Sequence, residues 1–166
     1  MDKNILKKEP SLRIATLLYN NILGTSATLP VEMLRTAEAS ARPKNQNTRK
    51  IEALTLSIDE KFITSPSGFD IRPSAVINDE QNFDIINLPA LWRNPRPALV
   101  KYKDYMPWII NQAANGALFV AVGTGVCFLA KAGLLDNQPA TTHWHYFDQF
   151  HKDFPKVSLK RQYFIT

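Results

Sequence analysis

The chain has 166 residues, enough for one domain, and its 45% hydrophobic and 21% charged residues are the balance of a globular protein with one buried core. Its net charge of +5 is scattered among acidic residues, with no basic stripe of interleaved aromatics to read nucleic acid. The longest nearly uninterrupted apolar run, residues 117–122, is far shorter than the roughly 20 residues of a membrane span, and the single Cys127 allows neither an internal disulfide nor a zinc cluster, so a cytoplasmic protein is expected.

In chain order, residues 1–10 are charged and lack the apolar segment and cleavage site of a secretory signal, so a short flexible tail is expected there. Residues 12–19 are β-prone and largely apolar, as in a strand covered on both faces. Pro30 suits the first turn of a helix over residues 31–38 that stops before Pro43, with Val31, Leu34, Ala37 and Ala41 as its buried stripe. Residues 51–57 alternate as a strand, and 61–64 with 69–71 predict a small hairpin around Pro66-Ser67-Gly68. Residues 83–88 form the next core strand, followed by a proline-punctuated loop over 89–97 and by helical sequence interrupted at Pro107 and ended by Asn115-Gly116. Residues 117–135 predict a buried strand that turns sharply through Gly123-Thr124-Gly125 into a helix ending at Ala132-Gly133. Residues 157–159 and 163–166 have strand character. Strands separated by helices predict an α/β fold, a three-layer α/β/α sandwich on a mostly parallel sheet, with ligands outside the C-terminal strand ends.

Gly123-Thr124-Gly125 is a poor dinucleotide fingerprint, because the third glycine would fall on Phe128 and no acidic residue follows about twenty positions on at a second strand end. The alternative is a nucleophile elbow, a strained strand-to-helix turn that pushes a Ser or Cys out over the sheet. Gly123 stands at that point and has no nucleophile. Cys127, one helical turn on among Val126, Phe128, Leu129 and Ala130, reads as a buried structural thiol. His143 has the chemistry of a general base, against the alternative of a hydrogen-bonded structural histidine. A metal site shared with His145 and His151 is not expected, since His143 and His145 would point to opposite sides of a strand and His145 and His151 to different helix faces.

Two motifs, Gly-Thr-Gly-Val-Cys-Phe-Leu-Ala-Lys-Ala-Gly-Leu-Leu-Asp from Gly123 and Ala-Thr-Thr-His-Trp from Ala140, resemble the ThiJ/PfpI branch of the class I glutamine amidotransferase-like superfamily. Within it the chain is similar to the N-terminal domains of AraC-family transcription regulators. Weaker agreement at residues 13–19, 30–35, 65–69 and 84–89 extends the resemblance over nearly the whole chain. It implies the same sandwich, of flavodoxin-like and amidotransferase-like type. It also implies that active relatives carry a cysteine at the position of Gly123, a histidine at His143, small residues after the strand for an oxyanion site, and an acidic partner in the loop that here holds Ser26. This chain keeps only the histidine and has Ala90-Leu91-Trp92 in place of the small residues, so no catalytic residue, metal or cofactor is expected.

The expectation is therefore a non-catalytic sensor and dimerisation domain over residues 11–166, shortened at its C-terminal end, with DNA read by a helix-turn-helix region outside this chain. Pro89, Ala90, Leu91, Trp92, Gly123, Thr124, Gly125, His143 and Trp144 would line a pocket for a small polar or anionic metabolite. The competing readings are a ThiJ/PfpI-type hydrolase or lyase using Cys127 with His143, and a structural dimer module without ligand.

Overall fold

A computed structural model describes residues 11–161. The first strand, β1 (Leu12–Leu17), is buried along its second half, as its apolar sequence demands, and leads through residues 18–23 into a long helix, α1 (Gly24–Ala41). Then come β2 (Ile51–Ser57), the hairpin β3 (Ile63–Thr64) and β4 (Asp70–Ile71), a short strand β5 (Ala75–Val76), and β6 (Ile85–Leu88). Two helices, α2 (Arg96–Lys101) and α3 (Tyr105–Ala114), precede β7 (Leu118–Ala121), and a 3-10 turn at Gly123–Gly125 opens α4 (Val126–Lys131). The described part closes with β8 (Pro139–Ala140), α5 (Phe147–Asp153) and β9 (Ser158–Leu159), β8 and β9 pairing as a separate parallel ribbon.

The central sheet has the order β5-β2-β1-β6-β7 and every pairing in it is parallel. From β1 the chain moves outward to β2 and β5, jumps back across β1, and moves outward again through β6 and β7. With right-handed crossovers these opposite directions place α1 on one face and α2 with α3 on the other, which is the mostly parallel α/β arrangement expected. The reversal lies between β1 and β6, so the loops leaving these two strands diverge and open a crevice. An aromatic cluster holds that end of β1: Tyr19 stacks on Phe128 with centroids 4.5 Å apart, and the Tyr105 hydroxyl donates to the Leu18 carbonyl at 2.5 Å. No helix among the described residues is long and apolar enough to cross a membrane.

The fold departs from the sequence expectations in a few places. Pro30 is not in the first turn of α1, which begins at Gly24 and carries the proline in its interior. A proline lacks the N–H that would bond the carbonyl four residues back, here that of Ser26. The Asn87 amide nitrogen, from β6, reaches that carbonyl at 3.1 Å and replaces the missing donor. The buried anchor of α1 is Ala27, ahead of the expected stripe, while Ala37 is exposed. The strand expected to be buried over residues 117–122 is the edge strand β7, with one face open at Leu118 and Val120. Pro107 does not interrupt a helix but sits in the first turn of α3, where its missing N–H costs nothing, and the break falls at residues 102–104. The two residues of β5 are too few for a periodic signal. The expected tail at residues 1–10 and strand at 163–166 lie outside the described residues.

Candidate ligand-binding site

The crevice is closed from below by the loop that leaves β6. Leu91 bridges antiparallel to Ile22 from the loop after β1, with the Trp92 N–H donating to the Asn21 carbonyl at 2.6 Å and the Leu23 N–H to the Ala90 carbonyl at 2.8 Å. Side chains hold the rest of the loop. Ser26 Oγ accepts the Ala90 N–H at 2.9 Å, and Thr124 Oγ1 accepts the Leu91 N–H at 2.9 Å while donating to the Leu91 carbonyl at 3.0 Å. The N–H groups of Ala90, Leu91 and Trp92 are therefore all engaged within the fold.

Above this loop stands the turn after β7. Gly123 has φ +51, the left-handed conformation that a nucleophile elbow imposes on its central residue. A Cβ at Gly123 would meet only the Cβ atoms of Ala90 at 3.6 Å and His143 at 3.8 Å, so the turn has room for a side chain aimed between them. Gly125 is different: a Cβ there would overlap the Leu88 carbonyl and stand 2.5 Å from the Pro89 carbonyl oxygen, so only glycine lets α4 pack onto the end of β6.

His143 is not on a strand. It caps a 3-10 turn at Trp144–Tyr146, its Nδ1 accepting the His145 N–H at 3.3 Å, and the imidazoles of His143 and His145 lie on the same side, 5.6 Å apart and within 10° of parallel. The expectation that the two point to opposite sides fails because the extended stretch ends at Ala140. With Nδ1 accepting, the neutral His143 ring carries its proton on Nε2 and presents a donor.

Together these segments enclose a cavity of about 720 Å³. Of the nine residues expected to line it, Ala90, Leu91, Trp92, Thr124, His143 and Trp144 do. Pro89, Gly123 and Gly125 do not; they shape the frame, Pro89 being buried with its carbonyl accepting the Tyr19 hydroxyl. The lining also includes Arg93, Asn94, His145 and Tyr146, neighbours in sequence of residues already singled out, and Leu23, which only the bridge between the two loops brings in. Behind the wall, the Tyr146 hydroxyl donates to Asp153 at 2.7 Å. The Arg96 guanidinium, bonded to both Asp153 oxygens, is the main cause that holds this carboxyl at about 2. Cys127 is fully buried and outside the cavity lining, with its thiol pushed well up by burial. Among the described residues no three His, Cys, Asp or Glu side chains gather as a metal site.

Comparison with known proteins agrees with this architecture. The chain is 29% identical over 112 residues to the HTH-type transcriptional regulator CdhR of Pseudomonas aeruginosa, covering 66% of this chain and 32% of that protein. It is 34% identical over 86 residues to an isonitrile hydratase of Pseudomonas putida, covering 52% of this chain and 37% of that enzyme. It thus spans about a third of the length of these relatives. A crystal structure of an AraC family transcriptional regulator from Pseudomonas putida superposes with a TM-score of 0.73 at 18% identity, covering 93% of this chain and 78% of that one. The model of the DJ-1/PfpI family matches residues 13–161, nearly the whole chain, and the chain belongs to the DJ-1/PfpI family.

Proposed function

We propose that this chain is a non-catalytic, ligand-sensing and dimerising regulatory region of an AraC-type transcription regulator, acting in the cytoplasm and coupled to DNA through a separate helix-turn-helix region. The observation that carries this reading is the emptied but intact elbow. Gly123 retains the left-handed backbone without a nucleophile, and the neighbouring N–H groups that would face an oxyanion are bonded to Ser26, Thr124 and Asn21. Loss of a covalent nucleophile and of an oxyanion donor each removes several kcal/mol of barrier lowering. What stays is a cavity of ligand size, walled by Ala90, Leu91, Trp92, Thr124, His143 and Trp144 and framed by Pro89, Gly123 and Gly125.

The similarity to an isonitrile hydratase favours a second reading, a cysteine enzyme using Cys127 with His143. Its difficulty is geometric, because the thiol is buried in the core and the imidazole faces the cavity. Cys127→Ala tests that reading, since a cysteine enzyme would lose any activity with it, and Gly123→Cys tests the emptied elbow. The latter restores the thiol at the elbow, and we expect no hydrolytic or hydratase activity to appear, since the three N–H groups stay engaged; an active variant would show that only the nucleophile was missing.

Sensing is tested by calorimetry and thermal shift over a panel of small polar and anionic metabolites, repeated on His143→Ala and Gly123→Phe. A hit should weaken on both variants. Equal binding to all three proteins would place the ligand elsewhere and remove the sensor reading. Dimerisation is tested by light scattering at micromolar concentration, where a monomer with or without ligand would remove that half of the proposal.

A further inference from the structure

The ionisable groups on the cavity wall are Arg93, His143, His145 and Tyr146, and no carboxylate is among them. Asp153, the acidic group behind the wall, is turned away in its bonds to Arg96 and Tyr146. The neighbouring cations are committed as well: Arg96 to Asp153, and Lys101 to the Asn20 side chain at 2.7 Å. Arg93, exposed at the rim of the cavity it lines, has no carboxylate partner among the described residues.

The backbone of Arg93 is also unusual. Three described residues other than glycine have positive φ, and the other two, Asn21 and Asn137, are of a type that tolerates the left-handed region, whereas Arg93 at φ +65 is not. The Trp92 N–H bond to Asn21 fixes the residue just before it. A strained cation held at a cavity rim, where glycine would fit the backbone better, indicates that the guanidinium itself is needed there. His143, its Nδ1 occupied, adds an Nε2–H donor.

The rest of the wall is apolar except for Thr124, whose hydroxyl is bonded to Leu91, and Asn94, whose Oδ1 accepts the Arg96 N–H. Leu23 and Leu91 line it with Trp92 and Trp144, residues that are 50% and 65% exposed and would be covered in part by a ligand body. A cavity of about 720 Å³ far exceeds the needs of an inorganic anion, which would leave those rings wet.

Resting on the sensor reading above, we propose that the ligand is a carboxylate with an apolar, preferably planar, body: the carboxylate on Arg93 and the His143 donor, the body between Trp92, Trp144 and Leu91. Arg93 is the group that sets the class, because a guanidinium fork matches a carboxylate in two hydrogen bonds.

The test uses the 166-residue protein with phenylacetate, phenylacetamide, phenethylammonium, acetate and inorganic phosphate, followed by quenching of tryptophan fluorescence and by thermal shift. Phenylacetate should bind, with the amide at least about tenfold weaker, in proportion to a lost charge-assisted bond, and the ammonium, acetate and phosphate weaker still. Arg93→Gln should reduce phenylacetate to the level of the amide while leaving amide affinity unchanged. Arg93→Gly should lose the same preference with a melting temperature equal to or above that of the wild type, which separates loss of the ligand contact from loss of the fold. Equal affinity for carboxylate and amide, tighter binding of the ammonium, indifference to Arg93→Gln, or no binding by any probe would overturn the carboxylate assignment. The sensor reading stands or falls separately, on the metabolite panel with His143→Ala and Gly123→Phe.

Discussion

Two glycines two positions apart do opposite things. At Gly123 the surroundings accept a Cβ and only the left-handed backbone resists it, so Gly123→Ala should cost about 1–2 kcal/mol in urea unfolding. At Gly125 the Cβ would run into the Leu88 and Pro89 carbonyls, and because backbone cannot give way as a flexible side chain does, Gly125→Ala should cost at least about 3 kcal/mol. Equal costs at the two sites would contradict this packing. The pair Pro30 and Asn87 makes a second residue-scale prediction. Asn87→Leu should destabilise by roughly 1–3 kcal/mol, because the Ser26 carbonyl loses its donor. In a Pro30→Ala background the new N–H can take that carbonyl, so the cost should shrink by about 1 kcal/mol; additive effects in the double-mutant cycle would rule the compensation out.

At the scale of elements, the wall of the cavity depends on a clamp between helices. Asp153 ends α5 and takes both hydrogen bonds of Arg96, the first residue of α2, while Tyr146 at the entry to α5 donates to the same carboxylate. The folded carboxyl sits at about 2, below its unfolded value, so its contribution is present above the ordinary carboxylate range and is lost as pH falls from about 4 towards 2. Since Arg96 is half exposed and screened by solvent, the loss should be about 1–2 kcal/mol. Asp153→Asn should flatten this acid limb in urea unfolding at stepped pH, and an unchanged limb would place the acid sensitivity in another carboxylate. Nothing comparable is expected of the exposed pair Arg161 and Asp148, which solvent screens.

For the molecule as a whole, Cys127 is an internal reporter. It lies in the same core as Tyr19, Tyr105 and Phe128, and its thiol is pushed up by burial, so iodoacetamide near neutral pH should modify it only through unfolding. The labelling rate should therefore rise with urea in parallel with the global transition. Fast stoichiometric labelling of the folded protein would instead restore the cysteine-enzyme reading. The same core explains why the crevice is well framed. The aromatic stack on Phe128 fixes the end of β1, the Leu91 bridge ties that end to β6, and Gly125 seats α4 on the end of β6.

Much of this was legible along the chain. Apolar runs predict β1, β6 and β7 and alternation predicts β2, although β7, expected to be buried, is an edge strand that exposes Leu118 and Val120; glycines with positive φ stand at the turns predicted after Pro66, Asn115 and Ala132, and the strand-turn-helix around Gly123 has its empty elbow. These signals are local: they depend on side-chain periodicity and backbone freedom within a few residues. The start of α1 differs from the expectation because Pro30 is a helix-start signal unless something distant replaces its missing N–H, and that something is Asn87 in β6. The side on which His145 lies was decided by where the extended chain ended, and the place of Leu23 by a bridge between two loops far apart in sequence. The amino-acid sequence by itself determined the α/β layering and the loss of the nucleophile, since both are written in single residues and their spacing. Only the tertiary structure decided that the loop N–H groups are engaged and that Arg93, at the cavity, has no carboxylate partner among the described residues, because hydrogen-bond satisfaction and ion pairing depend on partners that only folding brings together.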